Sequence, residues 1–159
     1  MLGFLTHKKT EHPRLAQIRQ LGLFSTLRPR ELRVVDGLLH EREYLPGEVV
    51  FDEGEEGQAL YVVLAGHVLI CRQGDPVNGR IAEIPPGALF GELALLDGVP
   101  RTAQARALDN CTIAALARAD FNGLLDTHAA IASKVALQLA RDLGQKLVAK
   151  HDAHDSRPL

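Results

Sequence analysis

The sequence predicts a mainly β domain, an antiparallel sandwich or barrel, flanked by helices on both sides. Three observations carry this. From His40 to Ala117, short runs rich in Val, Ile, Leu and Tyr are separated at regular intervals by Gly, Pro, Asp and Asn, the pattern of many short strands joined by turns. Apolar residues recur with a helical period before His40 and again after Arg118. The chain has 159 residues, 46% of them hydrophobic, which suits one domain with a true core.

The elements follow in order. HPRLAQIRQL, residues 12–21, places Leu15, Ile18 and Leu21 at i, i+3 and i+6, a short amphipathic helix with Pro13 at its start and Gly22 at its end. Pro29 opens a second helix, PRELRVVDGLL, with Leu32, Val35, Leu38 and Leu39 along one side. The candidate strands are EREYL, EVVF, ALYVVLA, HVLICRQ, RIAEI, AQARAL and CTIAALA, and a further strand after PPGAL ends at Phe90. Turns are expected at PG (46–47), DEGEEG (52–57), AG (65–66), GDPVNG (74–79), PPG (85–87) and DG (97–98). EEGQALYVVLAGHVLI reads as a hairpin bending at Ala65-Gly66.

ADFNGLLD predicts a short helix, and a long one runs from His128 to about Lys150. Ile131, Val135, Leu139, Leu143 and Leu147 are spaced by four, so their row drifts around a 3.6-residue helix and gives a broad apolar surface. Ala132, Ala136, Ala140 and Gly144 form a ridge of small residues, which permits a homodimer through 128–150 or reflects only the helix-forming tendency of Ala. The organisation predicted is an N-terminal extension with a short helix (1–20), the β unit (21–127), the long helix (128–150) and a polar, flexible tail (151–159).

Composition narrows the function. Eighteen basic and twenty acidic residues leave a net charge of −2, unlike a general nucleic-acid binder. Cys71 and Cys111 form neither a C-x-x-C pair nor a zinc spacing, and read as buried thiols in a reducing compartment. MLGFLTHKKTEHPR has no signal-peptide apolar region, and no run approaches the ~20 residues of a membrane span. A soluble, cytoplasmic protein is expected.

The least ordinary stretch is FGELALLDGVPRTA, residues 90–103. Gly91 permits a turn and close approach of a ligand to the backbone. GELALL makes about one helical turn, whose first N–H groups lack internal partners and favour a phosphate-sized anion. Arg101 carries a planar fork of donors suited to phosphate oxygens. Glu92 repels phosphate and makes sense as an acceptor for hydroxyls. An acid for a sugar, with an arginine and amides for a phosphate, describes a nucleotide. The plainer alternative is that Glu92 and Arg101 pair with each other, an interaction that contributes only ~0–1 kcal/mol at a surface.

FGELALLDGVPRTA closely resembles the phosphate-binding cassette of the cyclic nucleotide-binding domain, the family that includes the sensor domain of the bacterial catabolite activator protein and the regulatory subunits of cyclic-AMP-dependent protein kinase. LPGEVVFDEGEEGQALYVVLAGHV resembles the family's early strands and LGLFSTLRPRELRVV its helical entry, so the resemblance covers residues 21–150. It implies an eight-stranded antiparallel β-roll, with N-terminal helices and a long C-terminal helix. It implies Glu92 on the ribose 2′-hydroxyl and Arg101 on the exocyclic oxygens of a cyclic phosphate. Backbone amides of Gly91, Glu92, Leu93 and Ala94, and near Ala103, would complete the cradle. Thr102 stands where a hydroxyl favours cyclic GMP (cGMP), although many cyclic AMP (cAMP) binders carry it, and cAMP remains the favoured ligand. Ile70 and Ile81 on strands, with Leu143 or Leu147 as a lid, are candidate base contacts. Gln104 and Ala105 depart from the family pattern, and Ala105 leaves a smaller apolar wall beside the base.

Three functions are weighed. The first is a stand-alone cyclic nucleotide receptor that changes conformation and signals through a protein partner. No helix-turn-helix is expected in the nine residues after Lys150, so the chain is not expected to bind DNA by itself. The second is a structural or dimerisation module whose pocket no longer functions. The third is a cupin-like metalloenzyme, which wants several His and an acid converging in a barrel. Only His67 lies in a predicted central strand, no H-x-H occurs, and Glu92 and Arg101 lack a base or nucleophile, so no catalytic residue or metal cofactor is assigned. His151, Asp152, His154 and Asp155 could meet a metal at their spacing, but read better as a solvated tail.

Overall fold

The computed structural model describes residues 13–155. Residues 1–12, most of the predicted N-terminal extension, and 156–159 of the predicted tail lie outside them.

Helix α1 (Pro13–Arg19) and a 3₁₀ turn (Gly22–Phe24) lead into α2 (Pro29–Asp36). Pro29 is the first helical residue, and the Glu31 carboxylate accepts the Arg28 N–H at 2.9 Å, closing the helix start. Eight strands follow: β1 (Leu39–Tyr44), β2 (Val49–Phe51), β3 (Ala59–Ala65), β4 (Val68–Arg72), β5 (Asp75–Ile84), β6 (Leu89–Phe90), β7 (Gln104–Ala107) and β8 (Cys111–Ala117). A 3₁₀ turn (Glu92–Leu95) stands between β6 and β7. Helices α3 (Arg118–Thr127) and α4 (Ala129–Asp155) close the described chain.

The strands form two antiparallel four-stranded sheets, ordered β1-β8-β3-β6 and β2-β7-β4-β5. The expected eight-stranded roll with helices at both ends is what forms. Alternation along β3 and β8 sorts two cores. Leu60, Val62, Ala114 and Leu116 face the helices, with Ile18, Leu32, Val35, Phe121, Val135 and Leu139 among their neighbours. Val63, Cys111 and Ile113 face the other sheet, against Phe51, Val68, Ala105 and Ala107, with Phe90 of their own sheet in the same cluster. Burial on both faces explains why ALYVVLA reads as a continuous apolar run.

Several expectations are corrected. The second helix stops at Asp36, because Leu39 pairs with Leu116 and opens β1. Residues of GDPVNG expected in a turn belong to β5. β3 and β4 are not a hairpin: β3 pairs with β6 and β8, whereas β4 pairs with β5 and β7. The chain does bend at Gly66, at φ 79°, but that bend carries it from one sheet to the other. A Cβ at Gly66 would clash with the Asn110 carbonyl, so the corner is closed against the start of β8.

α4 begins at Ala129, with His128 capping α3, and continues through Asp155. Residues 151–155, expected in a flexible tail, are therefore helical. The first half of α4 is held by Ile131, Ala132, Val135 and Leu139, all buried, and by Lys134 Nζ donating to Glu31 Oε1 at 2.6 Å. That contact is the main cause drawing the Glu31 carboxyl below its usual range. No helix among the described residues is long and apolar enough to cross a membrane.

Candidate functional site

The site is built around the break between β6 and the following 3₁₀ turn. Gly91 takes φ 71°, a conformation that opposes a side chain, and a Cβ there would also stand 2.6 Å from Arg101 Nη1. The backbone conformation thus favours glycine, and a side chain there would displace the Arg101 guanidinium. Ala94 and Leu95 turn inward and are buried, and Leu95 joins the helix-facing core. The N–H groups of Glu92 and Leu93 make no hydrogen bond among the described residues, whereas the Ala94 N–H donates to the Gly91 carbonyl at 3.3 Å. Two amides are therefore free for an anion, and that of Ala94 is engaged in holding the turn.

Arg101 approaches Gly91 from the returning chain. Its position is set by the loop after β2: Arg101 N–H donates to Glu55 O at 2.7 Å, Gly54 N–H to Arg101 O at 2.8 Å, and Gly57 N–H to Val99 O at 3.3 Å. That loop is itself clamped by Arg118, which donates to Gly57 O at 3.2 Å and pairs with Glu56 at 3.1 Å. The Arg101 guanidinium donates to Ala59 O at 2.6 Å and to Gly91 O at 3.1 Å. It lies 4.1 Å from the centroid of the Phe51 ring and 5.6 Å from that of Tyr61. Phe51, Tyr61 and Phe90 pack on one another, with Tyr61 and Phe90 stacked at 5.2 Å.

This apolar setting has an electrostatic consequence. Desolvation by burial holds the Arg101 pKa below its ordinary value, against the weaker opposite pull of Tyr61 and of Glu55 and Glu92. Among the described residues no carboxylate forms an ion pair with it. A half-buried cation whose own bonds go to neutral carbonyls is complementary to an anion brought in from outside.

Glu92 and Arg101 do not pair with each other. Glu92, whose side chain is 13% exposed, makes an ion pair with Lys146 of α4. Thr102 is exposed, and its carbonyl accepts Arg72 Nη1 at 3.0 Å. Ala103 is buried. Gln104, the one departure with a side chain to place, is buried between Asp52, to which it donates at 2.6 Å, and the Cys71 thiol. Ala105 pairs with Ile70 across β7 and β4, and both belong to the inter-sheet core.

The expected residues are thus only partly assembled. Gly91, Glu92 and Arg101 come together, whereas Ile70 and Ala105 belong to the inter-sheet core that also holds Phe51 and Phe90. Ile81 is exposed on β5, Leu143 packs on the helix-facing core, and Leu147 is exposed. His67 lies at the corner before β4, bonded to Asp109 at 2.9 Å, rather than within a central strand.

Sequence reasoning missed Phe51, Tyr61 and Lys146. With only five Phe and two Tyr in the chain, aromatics in the strands facing a predicted phosphate-binding arginine were an available signal. Lys146 carried none beyond its place next to Leu147.

The family model described as the cyclic nucleotide-binding domain matches residues 41–128. The chain is 37% identical over 122 residues to the cyclic AMP receptor protein of Thermus thermophilus, an alignment covering 76% of this chain and 56% of that one. It thus spans little more than half of that relative. The crystal structure of the Thermus thermophilus catabolite activator protein superposes with a TM-score of 0.69 at 33% identity, over 84% of this chain and 63% of that one. The regulatory domain of Toxoplasma gondii PKA, solved with cAMP, superposes with a TM-score of 0.62 at 28% identity, over 72% and 46%.

Proposed function

The chain belongs to the cyclic nucleotide-binding domain family, and from that premise we propose that it is a cyclic nucleotide receptor, taking cAMP in preference to cGMP, that passes occupancy to a protein partner. The observation that carries this reading is the half-buried Arg101 guanidinium, without an acid partner among the described residues, bonded to the carbonyl of Gly91, the residue that precedes the free amides of Glu92 and Leu93. In this reading Arg101 and the amides hold the exocyclic oxygens of the cyclic phosphate. Glu92 accepts the ribose 2′-hydroxyl, and Ile70 and Ala105 wall the base. The preference for cAMP is supported by the similarity to the cyclic AMP receptor protein of Thermus thermophilus and to the Toxoplasma gondii regulatory domain solved with cAMP.

A ligand shifts conformation only by binding one arrangement better than another. Here the phosphate draws the 91–96 turn inward, and Leu95 carries that movement to the core under α4. In this reading the domain acts as a sensor, with Glu92 and Arg101 holding and orienting the ligand.

Isothermal titration with cAMP and with cGMP tests the reading, with Arg101→Ala as the control. Saturable binding by the wild type that is lost in the variant is expected. Failure of both nucleotides to bind the wild type favours a structural module instead.

A further inference from the structure

α4 changes character along its length. Its first half is buried against the core through Ile131, Ala132, Val135 and Leu139. From Gln145 to His154 every residue is exposed. Between the halves stands Gly144, a helix-interior glycine around which a Cβ would meet nothing within 4 Å. No packing demand explains it, and it weakens the helix at the point where burial ends. Two residues on, Lys146 reaches back across 54 positions to the Glu92 carboxylate.

The same carboxylate is the group assigned to the sugar. Glu92 is 13% exposed on its side chain, so with Lys146 seated on Oε1 little carboxylate surface remains for a second donor. Lys146 is 56% exposed, so it loses little when it leaves for water.

We propose that α4 beyond Gly144 is a latch: Lys146 holds it on Glu92, and the ribose hydroxyl of an incoming cyclic nucleotide competes with Lys146 for that carboxylate, releasing the distal helix. This rests on the receptor reading above. It gives that reading an output, because the segment freed by the ligand is the one with least other burial.

Two measurements on the full chain separate the ideas. Without ligand, Lys146→Ala should raise amide hydrogen exchange across 144–155. Ala is the stronger helix former, so a rise cannot come from propensity. With cAMP as the titrant, Lys146→Ala should bind about two- to fivefold more tightly than the wild type, as removal of a weak competing ion pair implies. That gain should vanish when Glu92→Gln is the background. Weaker binding by Lys146→Ala would overturn the latch and make Lys146 a ligand contact. Unchanged exchange would overturn it as well. Failure of the wild type and of Lys146→Ala alike to bind cAMP would instead overturn the receptor reading, and the exchange arm, which needs no ligand, tells the two failures apart.

Discussion

The two ends of the 91–101 segment are held in opposite ways. At the Arg101 end, three backbone hydrogen bonds to the 54–57 loop, the Arg118 clamp and three aromatic rings fix the chain. At the Glu92 end, a single 3₁₀ turn leaves Leu93 exposed, with Leu96 exposed just after it, anchors itself through buried Leu95, and pairs Glu92 with Lys146 of α4. Under the proposed function, this difference suits each end to its task. A phosphate anchor gains from preorganisation, since donors already in place need no reordering on binding. A sensor also needs an element that exists in two arrangements, and such elements are thinly packed.

The comparison can be broken most sharply at the rigid end. Arg101→Ala should reduce cyclic nucleotide affinity by about 10² or more in titration, because losing one partner of a desolvated charge pair costs about 2–5 kcal/mol. Near-wild-type affinity would sink the division of tasks. Gly91→Ala comes next. It forces a side chain into the left-handed region and against Arg101 Nη1, so affinity should fall about tenfold, with a lower thermal midpoint. A variant that bound normally would show that the guanidinium position is not critical.

At the Glu92 end the effect is selective. Glu92→Gln should weaken binding of cAMP by about tenfold, the scale of a hydrogen bond to a charged group. Binding of 2′-deoxy-cAMP, which offers no 2′-hydroxyl, should change much less. Equal losses for both ligands would remove the hydroxyl role and leave Glu92 with only its tie to Lys146.

The same contrast divides what was legible in the sequence. Gly91, Glu92 and Arg101 stand within eleven positions, and their chemistry can be read there because the segment carries its own turn and its own donors. Phe51, Tyr61 and Lys146 reach the site from β2, β3 and α4, and only the closure of the roll brings them near. The fold divides likewise. The extents of β3 and β8 follow from unbroken apolar runs. Their pairing does not, because Ala59–Ala65 finds its partner some fifty residues on in Cys111–Ala117, not across the nearby Gly66 bend. Asp75 to Gly79 misled because Asp, Pro, Asn and Gly are turn formers, yet the edge position of β5 tolerates them. His151 to Asp155 misled in the other direction: a polar stretch at the end of a strong helix continues it.

The smallest expected effect probes the exposed half of α4, which meets the Glu92 end. Gly144→Ala adds a methyl group where nothing stands within 4 Å, so no strain opposes it. The exchange should stabilise the helix by ~1 kcal/mol, with a rise in thermal midpoint of about 2–4 °C if the distal helix melts with the rest of the domain. The absence of any midpoint shift, with lower hydrogen exchange confined to 144–155, would instead mean that the distal helix opens as its own unit. Either result sharpens the contrast, because it measures how far the Glu92 end is uncoupled from the core that fixes Arg101. A loss of stability would contradict it, since it would mean that Gly144 answers a packing demand.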